Sequence, residues 1–99
     1  MSSTLVDSID ETVSEVLGAG VLQAFYAHLA ANGIAREDIP IKLRRFCFIL
    51  DKSFGLAGTT LQRAIAKHLY VKLFLTFVPS DSKTLEGYFE EAANKIEDK

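Results

Sequence analysis

The sequence predicts an all-α fold, a compact bundle of about five helices forming one domain over residues 1–99, and three observations carry that expectation. Apolar residues recur at intervals of three and four along most of the chain. Glycine, Asn-Gly and proline interrupt those runs at plausible helix ends. Hydrophobic residues make up 48% of the chain and charged ones 24%, an ordinary composition for a protein that buries a core. Because separate cores usually need something like 100 residues apiece, 99 residues leave room for one.

Along the first segment Leu5, Ile9, Val13 and Val16 share a face, with Asp7, Asp10, Glu11 and Glu15 elsewhere on the wheel. That spacing predicts an amphipathic helix over residues 4–17. Gly18-Ala19-Gly20 should interrupt it, since glycine inside a helix costs roughly 1 kcal/mol against alanine. A second helix carries Leu22, Phe25, Tyr26 and Leu29 on one stripe, and Asn32-Gly33 supplies residues that tolerate the left-handed backbone of a helix end.

Residues 36–40 read as a connector, because the residue before a proline is pushed to extended backbone while Pro40 itself suits a first helical turn. A third helix is therefore expected from near Pro40, running through Leu43, Phe46, Cys47, Leu50 and Phe54 to Gly55. The fourth is expected to start near Thr59 or Thr60, either of which can cap it, and to continue through Leu61, Ile65, Leu69 and Leu73.

Residues 69–78 are apolar nearly all round and rich in strand-favouring side chains, so periodicity alone does not decide between helix and strand. A strand would need a partner, either residues 46–50 or a second copy of the same segment. A helix continuing to Val78 and stopped by Pro79 is the simpler reading, and it makes helix four the central or interface-forming element. After the turn and cap chemistry of Ser80-Asp81-Ser82, the stripe Leu85, Tyr88, Phe89, Ala92 and Ile96 predicts a last amphipathic helix.

The single cysteine, Cys47, cannot close an intramolecular disulfide, which points to a reducing, cytoplasmic compartment. The first residues reach Asp7 without a basic start or an apolar run, so no export signal is expected. The longest apolar stretch is interrupted by Lys72 and Thr76 and falls well short of the roughly 20 residues of a membrane span. No membrane association is expected.

A formal net charge of −2 conceals a pattern. The segment before Gly18 holds only acids, and the segment after Pro79 has acids in excess of Lys83, Lys95 and Lys99. Between Ile41 and Lys72 stand Lys42, Arg44, Arg45, Lys52, Arg63, Lys67 and Lys72 against Asp51 alone. Two readings follow. Acidic terminal helices can lie against basic central ones, each exposed pair contributing roughly 0 to 1 kcal/mol. Alternatively the central helices present an anion-binding surface, with Lys42, Arg44, Arg45, Gln62, Arg63 and Lys67 as candidate contacts to nucleic acid or an acidic protein.

Residues 50–64 resemble a DNA-binding helix-turn-helix segment. Leu50, Phe54, Leu56 and Leu61 stand where two helices would touch, Gly55 falls in the turn, and Gln62, Arg63 and Lys67 would reach toward base edges. The match departs from the pattern at Asp51, where the helix crossing normally holds a small apolar residue and a buried carboxylate would be costly. Gly58 weakens the start of the second helix.

For metal binding, Cys47, His28 and His68 do not stand at spacings of three or four that would aim two of them at one ion, so no metal or cofactor is expected. Cys47 lies in an apolar run, where a thiol behaves as a small hydrophobe and resists ionisation. The sequence contains no G-x-S-x-G, G-x-x-x-x-G-K or G-x-G-x-x-G. Catalysis is not expected.

Phe48, Tyr70, Phe74 and Phe77 are candidate interface residues. If helix four is central, neighbours cover them; if it is peripheral, they form an exposed patch. The function expected from these readings is a small non-catalytic interaction or regulatory module acting through a helical surface, as a homodimer or with another protein. The alternative is a nucleic-acid binder using residues 50–67.

Overall fold

A computed structural model describes residues 2–80 and 82–97, so the cap chemistry expected at Asp81 and the charges of Asp98 and Lys99 lie outside the described residues. Helix α1 spans Ser2–Leu17 and buries Leu5, Ile9 and Val13 as expected together with Val6, whereas Val16, expected on the same face, is exposed near the helix end. Two polar residues share that buried face. Ser8 and Thr12 turn their hydroxyls back onto the carbonyls of Thr4 at 2.8 Å and Ser8 at 2.7 Å, which satisfies them without a partner helix.

Gly18 (φ 97°) ends α1, and a short 3-10 turn over Ala19–Val21 leads into α2, Leu22–Ala31. That helix closes as the Asn32-Gly33 signal anticipates. Ile34 N–H donates to Leu29 O and Gly33 N–H to Ala30 O, both at 3.0 Å, with Gly33 at φ 85°. This is a Schellman motif, and Ile34 and Leu29 are buried beneath it.

Helix α3 spans Leu43–Phe54 and starts later than expected from Pro40. The Asp38 carbonyl takes the N–H groups of Ile41 at 3.1 Å and Lys42 at 2.9 Å, so residues 39–42 turn without joining the helix. One residue, Gly55 (φ 59°), then separates α3 from α4, which spans Leu56–Lys72 and starts earlier than the threonines suggested. Gly58 makes this tight junction possible, because a Cβ on it would stand 2.4 Å from the Leu50 carbonyl oxygen.

α4 packs against α1, α3 and α5 and is the central element of the bundle. Leu61, Ile65, Ala66, Leu69 and Tyr70 supply its share of the core. It does not continue to Val78: the helix stops at Lys72, and residues 75–80 are neither helix nor strand. The stop is a second Schellman motif, with Leu75 N–H on Tyr70 O at 2.9 Å and Phe74 N–H on Val71 O at 3.2 Å. The left-handed residue is Phe74 (φ 58°), which no glycine signal announces.

Packing explains the reversal. Six more helical residues would project about 9 Å beyond Lys72 and carry Leu73, Leu75 and Phe77 away from the core. Instead these three fold back against it. Phe77 meets Tyr70 edge-on at 5.6 Å and Tyr88 at 5.0 Å between ring centroids. The Tyr70 hydroxyl donates to Tyr88 O at 2.9 Å, and Ser80 N–H donates to the Tyr88 hydroxyl at 2.7 Å.

Helix α5 spans Leu85–Glu97 and inserts Leu85, Tyr88 and Ala92. Its cap is Thr84, whose Oγ1 accepts Gly87 N–H at 3.2 Å. No strand occurs among the described residues, and none of their helices is long and apolar enough to cross a membrane.

Candidate functional site

Five buried residues of α3, Leu43, Phe46, Cys47, Ile49 and Leu50, define its inner face. Phe54 packs partly against the core, whereas Arg45, Phe48 and Lys52 share an outward stripe at helical spacing, with Ile41 beside it in the preceding turn. Phe48 is 63% exposed and Ile41, in the turn before the helix, is 85% exposed. Phe48 and Arg45 form a ridge between two grooves. One, of about 490 Å³, is completed by Ile41, Lys42, Arg44 and Glu86; the other, of about 370 Å³, runs past His28, Lys52 and Ser53.

The cations of this face differ in what they hold. Arg44 Nε donates to Glu86 Oε1 at 3.3 Å, so its charge is partly offset. Lys42 Nζ donates to Gly33 O at 3.2 Å and Arg45 Nη2 to Asn32 O at 3.0 Å. Both acceptors are backbone carbonyls at the end of α2, where cations favour the helix dipole, and among the described residues neither side chain is paired with a carboxylate. The two side chains are thereby positioned while their charges stay available.

The same cations crowd the positive end of α3. Lys42 is its N-cap residue, Arg44 and Arg45 lie in its first turn, and no acid stands there. Each such placement costs about 0.3–1 kcal/mol at a helix N-terminus.

Other basic residues are spent inside the fold. Lys72 pairs with Glu11 and ties α4 to α1, and His68 reaches Glu15 at 3.0 Å across the same contact. Arg36 pairs with Asp10, whose carboxylate also receives the Tyr26 hydroxyl; burial, then that hydrogen bond, raises the Tyr26 pKa. Lys83 pairs with Glu91, which holds that carboxylate below its ordinary range. Internal complementarity thus accounts for Lys72 on α4 and in part for Arg44 on α3, and leaves Lys42 and Arg45 outside it.

The expected anion contacts accordingly divide. Lys42, Arg44 and Arg45 converge on α3, while Arg63 and Lys67 line a separate groove of about 470 Å³ on α4 with Phe77 and Pro79. Gln62 is interior and not a surface contact: its Nε2 donates to Asp51 Oδ1 at 2.8 Å, and its Oε1 accepts Leu85 N–H at 3.2 Å. Asp51, expected at a buried crossing, is exposed and accepts that amide; Gly58 occupies the crossing instead. The helix-turn-helix resemblance loses its first base-reading residue and its spacing.

The expected interface residues divide as well. Tyr70 is 2% exposed and belongs to the core, so it cannot serve as a surface residue. Phe77 is half-buried against Tyr70 and Tyr88. Phe48 and Phe74 are exposed, but the first stands on α3 and the second at the end of α4. Lys52 was missed as a member of the α3 stripe and Ile41 as its neighbour, although the spacing of Lys52 from Arg45 and Phe48 is visible in the sequence.

One nucleophile and base pair does form. His28 Nε2 and Ser53 Oγ are 2.8 Å apart, both exposed, and among the described residues no carboxylate orients the imidazole. Burial pushes the Cys47 thiol up to about 11, far from a nucleophile's range. No group of three or more His, Cys, Asp or Glu side chains among the described residues could hold a metal ion.

No protein-family model, no curated protein and no solved structure matches this chain.

Proposed function

We propose that this chain is a non-catalytic protein-binding module that engages its partner with the outer face of α3. The observation that carries the reading is the exposure of Phe48, on one stripe with Arg45 and Lys52 between two grooves, and of Ile41 beside it. Single exposed apolar residues are common on protein surfaces. Here, however, an aromatic residue and an arginine, the types that dominate binding hot spots, form the ridge itself. Arg45 is also held in place by Asn32 O, which lowers the entropy lost on binding.

Two other readings have less support. Self-association through an aromatic stripe on α4 would need Tyr70 at the surface, and Tyr70 is interior. A helix-turn-helix reading would need Gln62 free to meet bases, and Gln62 is bound to Asp51 and Leu85.

The test is position-specific photo-crosslinking in the cell of origin. A crosslinking residue at position 48 should trap one protein, identified by mass spectrometry, and one at position 30, exposed on α2, should not. Binding of that purified protein should weaken at least about tenfold in a folded Phe48→Glu variant, as for a hot-spot residue. Unchanged affinity would overturn the reading.

A further inference from the structure

We infer that the partner of the α3 face is an acidic amphipathic helix of another protein, an inference that rests on the protein-binding reading above. Peptide recognition uses a few modes, among them strand addition to a sheet edge and a helix laid into a groove. The described residues form no sheet, so they offer no edge for a strand. Ile41, in the turn before α3, and Phe48 line the same groove, so the apolar stripe of an incoming helix can cover both. The two grooves beside Phe48 then receive the side chains that flank the partner's apolar stripe.

Charge selects the sign of those flanking residues. Arg45 borders both grooves, Lys42 and Arg44 border one, and Lys52 the other; the carboxylate on this face is Glu86, already bonded to Arg44. Lys42 and Arg45 are bonded to carbonyls and not to acids. The first turn of α3 holds basic residues and no acid against its own dipole, an arrangement that an anionic partner relieves. Glutamates on the partner's flanks would meet these cations while its apolar stripe covers Phe48 and Ile41. Nucleic acid would satisfy the charges and leave Ile41 exposed.

The experiment titrates three designed amphipathic peptides of about 18 residues, five helical turns, into the isotope-labelled chain. They share one leucine stripe and carry Glu, Gln or Lys on the flanks. The Glu peptide should shift the amides of residues 41–52 and bind about tenfold more tightly than the Gln peptide, with that advantage lost in about 0.5 M salt. Lys52→Glu should weaken the Glu peptide more than the Gln peptide and so shrink the advantage, and Phe48→Ser should weaken both.

Equal binding of the Glu and Gln peptides would overturn the acidic-partner inference and leave the protein-binding face standing. Tighter binding of mixed-sequence duplex DNA at the same amides would overturn it in favour of nucleic acid. A chain that dimerises in sedimentation through Phe48 would assign the face to a second copy and overturn it too. If no peptide shifts residues 41–52, both readings fall.

Discussion

A Cβ on Gly58 would stand 2.4 Å from the carbonyl oxygen of Leu50, so α3 and α4 meet backbone to backbone where the single residue Gly55 joins them. Gly58→Ala would ordinarily gain about 1 kcal/mol of helix propensity. The contact here is with backbone, which cannot swing aside, and overpacking of this kind costs about 1–3 kcal/mol. Denaturant unfolding should show a net loss of up to about 2 kcal/mol. A stabilised Gly58→Ala protein would show that the two helices do not approach this closely.

Phe74 gives the opposite expectation. It is 97% exposed and left-handed at φ 58°, the position that Gly33 fills at the end of α2. Phe74→Gly removes a strained conformation and no buried surface, so stability should rise by about 0.5–1 kcal/mol after the extra entropy of an unfolded glycine is counted. In a domain of this size that is a melting temperature higher by several degrees, about 4–8 °C per kcal/mol. Lower stability would mean that the ring has a packing role.

Gln62 joins three elements by accepting from Leu85 N–H and donating to Asp51 on α3. Gln62→Leu keeps the shape approximately and strands the Leu85 N–H in the interior. The expected cost is about 1–3 kcal/mol by urea unfolding, with faster amide exchange at Leu85. Unchanged exchange would show that another acceptor serves this N–H.

Burial also sets the alkaline limit of the fold. The Cys47 thiol is pushed from 9.0 up to about 11, and burial raises Tyr70 in the same direction, with Glu91 and Tyr88 adding to it. The unfolded chain releases these protons first, so folding stability is complete below about pH 9 and falls as pH rises toward 11. Cys47→Ala has its own cavity cost at neutral pH, but it should lose about 2 kcal/mol less than the parent between those two values. Parallel stability curves would show that Cys47 is not shielded from water in the folded state.

Most helices were legible because their determinants are local. The stripe Leu5, Ile9 and Val13 names the buried face of α1, and Asn32-Gly33 marks the end of α2 where the Schellman motif closes. The end of α4 was not legible. Gly33 and Phe74 occupy the same place in the same motif, yet glycine declares its tolerance of left-handed backbone and phenylalanine does not. Phe74 is held there because Phe77 has a better place against Tyr70 and Tyr88 than any continued helix could offer it.

The candidate site divides in the same way. By itself the sequence determined that the centre of the chain is basic, that its ends are acidic, and that Phe48 lies off the apolar stripe of Leu43, Phe46, Cys47 and Leu50. Periodicity and formal charge are properties of neighbours in the chain, so they survive without coordinates. Only the tertiary structure decided which charges are spent: Lys72 meets Glu11, whereas Lys42 and Arg45 meet the carbonyls that end α2. That choice depends on which helix ends lie side by side. The packing of apolar faces sets that arrangement, and a charged side chain then takes whatever partner stands within its reach.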